Sequence, residues 1–216
     1  MSYNEYNMGQ RKISNPYITP VNITLVVINV AIFFVGEMIT KFSGNALFMN
    51  LGAMHPILVL YGQWYRLITA TFLHSDISHL INNMLLLVCL GSCLEKAIGK
   101  VKYIIFYFAT GIVSSLVSMG WMLYSQDIAW SIGASGVVFA IMGAVLYIVI
   151  FNKGRFAGYS IKRYLIMLVL SLYFGFTTKG VDNAAHVGGA IVGFVLGVFL
   201  YRKKKTDTVY YSGEEL

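Results

Sequence analysis

Apolar residues gather along this chain in six runs long enough to cross a hydrocarbon layer, with short polar segments between them. A span needs about 20 apolar residues for a layer about 30 Å thick. The runs fall near residues 21–39, 79–95, 103–124, 132–151, 162–178 and 183–201. Each predicts a helix, because in lipid a lone segment can satisfy its backbone groups only by bonding to itself. The stretch between the first two runs is different. "NALFMNLGAMHPILVLYGQWYRLITATFLH" is apolar and aromatic, yet Gly52, Pro56 and Gly62 interrupt it. It predicts a long membrane-associated loop, partly in the outer leaflet and anchored at the interface by Trp64, Tyr65 and Arg66. An ordinary amphipathic interfacial segment is the plainer alternative.

Composition fixes the solvent. With 57% hydrophobic and 12% charged residues and a mean hydropathy of +0.69, the chain has too few charges to clothe a soluble globule. The pattern therefore describes an all-α polytopic membrane protein. The first run follows Arg11 and Lys12 but exceeds a signal-peptide core and precedes no A-x-A-like cleavage site, so it reads as a retained anchor. Cys89 and Cys93 sit one helical turn apart inside the second run, where thiols usually pack.

Positive charge sets the orientation. If both termini are cytoplasmic, Arg11, Lys12, Lys96, Lys100, Lys102, Lys153, Arg155, Lys162, Arg163, Arg202, Lys203, Lys204 and Lys205 are inside, and only Lys41, Arg66 and Lys179 are outside. Such asymmetry favours an even number of spans with both ends in. The net charge of +7 then marks the inner membrane face, and nucleic acid is not an expected partner. Residues 1–20 read as a cytoplasmic segment, 21–201 as the membrane domain and 202–216 as a solvated tail.

In this topology the second, fourth and sixth spans begin at the outer face, and each carries polar residues just inside that end. The second has His74, His79, Asn82 and Asn83; the fourth has Ser135; the sixth has His186. Taken singly, a membrane histidine often bonds a neighbouring helix and a serine its own helix. Convergence at one depth favours function, because ionisable groups in spans are costly.

Small-residue stripes sharpen the picture. Gly189, Gly193 and Gly197 follow His186 on one helix face, and Gly136, Ala140 and Ala144 form a similar stripe beside Ser135. Such stripes let backbones approach closely. They would bring His186 to Ser135 as a general base beside a nucleophile. His79 and Asn83, four residues apart on one face, together with the Ser135 backbone N–H, could form an oxyanion hole. Asp182 is the carboxylate nearest His186 in sequence, yet an exposed loop position is the simpler reading, so a dyad is expected rather than a triad. His55 has no evident partner and reads as interfacial. No H-E-x-x-H or comparable cluster is present, so neither metal nor organic cofactor is expected.

These motifs resemble the rhomboid intramembrane serine proteases over most of the chain, from Val21 to Tyr201. "GASG" resembles the family's G-x-S-G, which alone would arise by chance in roughly one chain in ten of this composition. "AHVGGAIVG" resembles its histidine and following glycine helix, "HSDISHLINN" its H-x-x-x-x-H-x-x-x-N element, and "WYR" its W-R signature with Tyr65 inserted. The resemblance implies a six-transmembrane-helix rhomboid-like bundle with Ser135 as nucleophile and His186 as base. It places His79 and Asn83 in the oxyanion hole, with His74, Gly133, Gly136, Phe139, Gly189 and Gly193 in support. At Phe139 many relatives have an aromatic residue that packs on the base, and Glu95 matches a position with a structural role. Implied substrates are other membrane proteins, single-pass or polytopic, cut near the extracytoplasmic face where a helix can unwind. The segment "FGFTTKG" between the fifth and sixth spans is the implied lid. A bacterial plasma membrane is the expected location. A catalytically silent escort and a transporter are the alternatives; the retained serine, histidine and asparagine oppose the first, and the absence of convincing inverted repeats opposes the second.

Overall fold

Helices form at all six places where the apolar pattern asks for them. The computed structural model describes residues 18–43 and 47–202. Arg11, Lys12, Lys203, Lys204 and Lys205, with the rest of the tail, lie outside the described residues. Helix α1 runs Pro20–Ser43, and its proline sits at the first turn, where a missing N–H costs nothing. After it, α2 (Leu47–Gly52), α3 (Pro56–Leu60), α4 (Arg66–Thr69) and a 3-10 turn (Ala70–Phe72) occupy the segment that Gly52, Pro56 and Gly62 break up. The second long helix comprises α5 (Ile77–Leu86), a π-helical stretch (Leu87–Gly91) and α6 (Ser92–Ile98). Then follow α7 (Lys100–Ser125), α8 (Ser135–Phe151), α9 (Ile161–Thr177) and α10 (Asn183–Leu200). Four of these helices, Pro20–Phe42, Ile77–Ile98, Lys100–Ser125 and Asn183–Leu200, are long and apolar enough to cross a membrane; α8 is apolar but shorter.

A two-strand hairpin departs from the all-helical expectation. Strands β1 (Arg155–Phe156) and β2 (Tyr159–Ser160) pair antiparallel between α8 and α9. Ala157 and Gly158 both have positive φ, as a tight two-residue hairpin turn requires.

Helix α8 is buried along almost its whole length, as a helix that is apolar all round should be. Its closest partner is α10. A Cβ on Gly189 would overlap the Gly136 carbonyl, and one on Gly193 the Ala140 carbonyl, so the two small-residue stripes meet backbone to backbone. Helix α9 is the loosest, burying only Tyr164 and Gly175.

At the opposite end of α5–α6 a buried polar network ties three helices. Glu95 accepts from the backbone N–H groups of Asn22 (2.7 Å) and Val21 (3.3 Å), capping α1 from across the chain. Asn22 donates to the Leu87 carbonyl (2.8 Å) and accepts from the Tyr103 hydroxyl (2.6 Å).

The loop before α5 corrects one expectation. Trp64 and Tyr65 are exposed, but Arg66 is buried: its guanidinium donates to the Ala53 carbonyl and to Gln63 Oε1, both at 2.7 Å. It holds the loop together from within, because a desolvated guanidinium demands partners.

Candidate active site

Ser135 is the first residue of α8, later than the apolar run from residue 132 suggested. The preceding residues are held out of the helix by neighbouring segments. Ser131 and Met54 exchange two backbone hydrogen bonds (2.9 and 3.0 Å), and the Gly133 N–H donates to the Ala70 carbonyl (2.9 Å). Gly133 has φ +118°, which L side chains rarely adopt, and a Cβ there would stand 2.7 Å from His79 Nε2. Glycine is therefore required both for the turn and for the space. The chain enters the helix at Ser135 with its first N–H groups lacking helical acceptors. Ser135 is half-buried and lines a small cavity with Thr71, Ser114, Ser131 and Asp182.

His186 is buried one turn into α10, stacked flat on Phe139 with ring centroids 4.2 Å apart and planes 19° apart. Phe139 lies one helical turn after Ser135 on the same face of α8, so the imidazole lies along the serine's face. His186 Nδ1 has no hydrogen-bond partner and faces Gly175 of α9, where a Cβ would be 3.2 Å away. Among the described residues no hydrogen bond joins His186 to Ser135 or to a carboxylate.

His79 and Asn83 lie over Gly133 from α5. Asn83 is buried, and its Nδ2 donates to the His79 carbonyl (3.1 Å), leaving one amide hydrogen free. Ser75 Oγ lies 3.1 Å from His79 Nδ1 and 2.7 Å from Asp76 Oδ2. Asp76 caps α5 by accepting from the His79 N–H (2.9 Å). That N–H, helped by the Ser75 hydroxyl, holds the Asp76 carboxyl below the ordinary range. His74 is buried edge-on to His79 (5.0 Å). Burial, with His79 acting in the same direction, pushes the His74 imidazole down to about 4.

Two residues depart from their sequence readings. Asp182 is no exposed loop residue. It is half-buried; its Oδ1 accepts from the Ala185 N–H (3.0 Å), capping α10, and its Oδ2 accepts from Ser131 Oγ (2.6 Å) and Ser118 Oγ. His55 is not without a partner: its ring packs 4.7 Å from that of Trp130. Ser114, Ser118 and Ser131 did not stand out in the sequence. The available signal was the spacing of Ser114 and Ser118, which puts two hydroxyls on one face of an apolar helix.

Residues 61–203 match the family model described as the Rhomboid domain. Among curated proteins, the chain is 31% identical over 78% of its length to "Rhomboid protease GluP" of Bacillus subtilis, covering 32% of that protein. It is 38% identical over 70% of its length to "RHOMBOID-like protein 5" of Arabidopsis thaliana, covering 48% of it. It is 34% identical over 82% of its length to "Rhomboid protease AarA" of Providencia stuartii, covering 70% of it. The chain thus spans about a third and about half of the first two relatives.

Proposed function

This chain is a multi-pass membrane protein of the rhomboid family, and on that premise we propose that it is an intramembrane serine endopeptidase working through a Ser135–His186 dyad. The observation that carries this reading is the stacking of His186 on Phe139, one turn below a serine that opens its helix two residues after Gly133, over which His79 and Asn83 lie.

His186 Nδ1 is turned toward Gly175, so Nε2 is the nitrogen that takes the Ser135 hydroxyl proton as Oγ attacks the scissile carbonyl carbon. The carbonyl oxygen becomes an oxyanion, met by the Ser135 N–H, Asn83 Nδ2–H and His79 Nε2–H. Such a donor is worth about 3–4 kcal/mol of barrier. In this structure the Ser75 hydroxyl donates to Asp76 Oδ2; its rotation to donate to His79 Nδ1 instead sets the tautomer with hydrogen on Nε2. The imidazolium then gives its proton to the leaving amine, and water, activated by the same ring, releases the acyl-enzyme.

The substrates are membrane proteins presented to the outer half of the bilayer, where local unwinding exposes an amide. All six helices are spans of one domain over residues 21–201. The loop between α1 and α5 is membrane-associated, both termini are cytoplasmic, and the location is the cell membrane.

The test is cleavage of a single-pass reporter by purified protein in liposomes. Wild type cuts, whereas Ser135→Ala and His186→Ala each lose at least about a thousandfold. Equal cleavage by all three would exclude the dyad; binding without cleavage by any would favour the silent escort.

A further inference from the structure

We infer that Asp182 is a positioning residue for the dyad, an inference that rests on the reading of Ser135 and His186 above. Its carboxylate collects donors from three separate elements: Ser118 Oγ of α7, Ser131 Oγ of the segment before α8, and the Ala185 N–H of α10. An ionised carboxylate offers about four acceptor sites, so it can hold all three donors at once. Hydrogen bonds to a charged acceptor are about twice as strong as neutral ones.

The places of these donors give the arrangement its meaning. Ser131 lies four residues before Ser135, and Asp182 lies four residues before His186. One carboxylate therefore joins the two segments that lead into the nucleophile and the base, and fastens both to α7. Ser131 is also paired with Met54, which ties the same point to the first loop. His186 depends on this fastening because its Nδ1 makes no hydrogen bond. Stacking on Phe139, glycine packing along α10 and the starting point of that helix hold the ring in place. Asp182 acts on the last of these without touching the ring through a hydrogen bond.

The experiment measures kcat and KM on a single-pass reporter, together with the rate at which Ser135 Oγ displaces fluoride from a fluorophosphonate to form the phosphonyl-enzyme, in the 216-residue chain. Asp182→Ala lowers kcat and phosphonylation together by about ten- to a hundredfold, the scale of a misplacement near 1 Å, with KM within about twofold. Asp182→Asn keeps an oxygen for the Ala185 N–H and offers Nδ2 hydrogens to the two serine oxygens, so it stays within about threefold of wild type. Ser118→Ala with Ser131→Ala leaves the helix cap intact yet loses about tenfold, and adding Asp182→Ala costs less than the separate losses combined. Should Asp182→Ala fail to fold, Asp182→Asn and the serine pair still decide the matter.

Wild-type kcat in the serine pair, or a loss confined to KM, overturns the inference. So does Asp182→Asn as impaired as Asp182→Ala, which would make charge rather than position the cause. In each of those cases wild type is still phosphonylated at Ser135. A wild type that is not phosphonylated overturns the dyad itself, and the inference with it.

Discussion

His74 shows what a single buried side chain commits the protein to. With the imidazole at about 4 in the folded protein against an ordinary 6.5, the unfolded chain binds a proton between those values that the folded one does not. The stabilisation is complete above about pH 6.5 and is lost as pH falls toward 4, amounting to about 3 kcal/mol. Thermal unfolding in detergent at pH 7 and 4.5 measures this: His74→Gln should lose distinctly less stability over that interval than wild type, and an unchanged difference would assign the acid sensitivity elsewhere. At this scale the residues legible in the sequence were those with a local signature. Ser135, His186, His79 and Asn83 each stand in a short motif or at helical spacing. Asp182, Ser118 and Ser131 were not legible as a group, because the chain separates them by tens of residues and only packing unites them. Arg66 misled for the same reason: beside two aromatic residues it reads as an interface anchor, and burial by distant backbone makes it a staple.

Among the elements, the contact of α8 with α10 determines whether the proposed nucleophile and base meet at all. Periodicity alone identified both stripes, and the structure brings Gly193 against the Ala140 carbonyl. Gly193→Val therefore has to push two backbones apart, at a cost of at least about 1–3 kcal/mol. It should lower the unfolding temperature and abolish fluorophosphonate labelling of Ser135. Gly120→Ala, where nothing lies within 4 Å, should leave both unchanged; wild-type labelling in Gly193→Val would show that the helices need not approach so closely. Element ends were less legible than element centres. The run at 132–151 includes residues that are apolar but not helical, because Ser131 is claimed by Met54 and Gly133 by Ala70. The hairpin after α8 escaped notice because two-residue strands carry no measurable alternation.

For the whole molecule, orientation is the property on which access of the proposed substrates depends. In a background lacking Cys89 and Cys93, Gln126→Cys, between α7 and α8, should react with an impermeant maleimide in intact cells. Ala157→Cys, at the turn of the hairpin, should react only after permeabilisation; the opposite result would invert the molecule and the side of the proposed cleavage. The sequence by itself determined that this is a helical membrane protein, where its long helices lie and which short motifs resemble those of the rhomboid family. Hydropathy and helical spacing are local, and the bilayer makes them nearly decisive. Tertiary structure alone decided that Arg66 is buried, that Glu95 caps a helix far away in the chain, and that Asp182 gathers hydroxyls from two other elements. A buried charge must find its partners wherever the fold brings donors, and that search crosses sequence distances on which no local pattern reports.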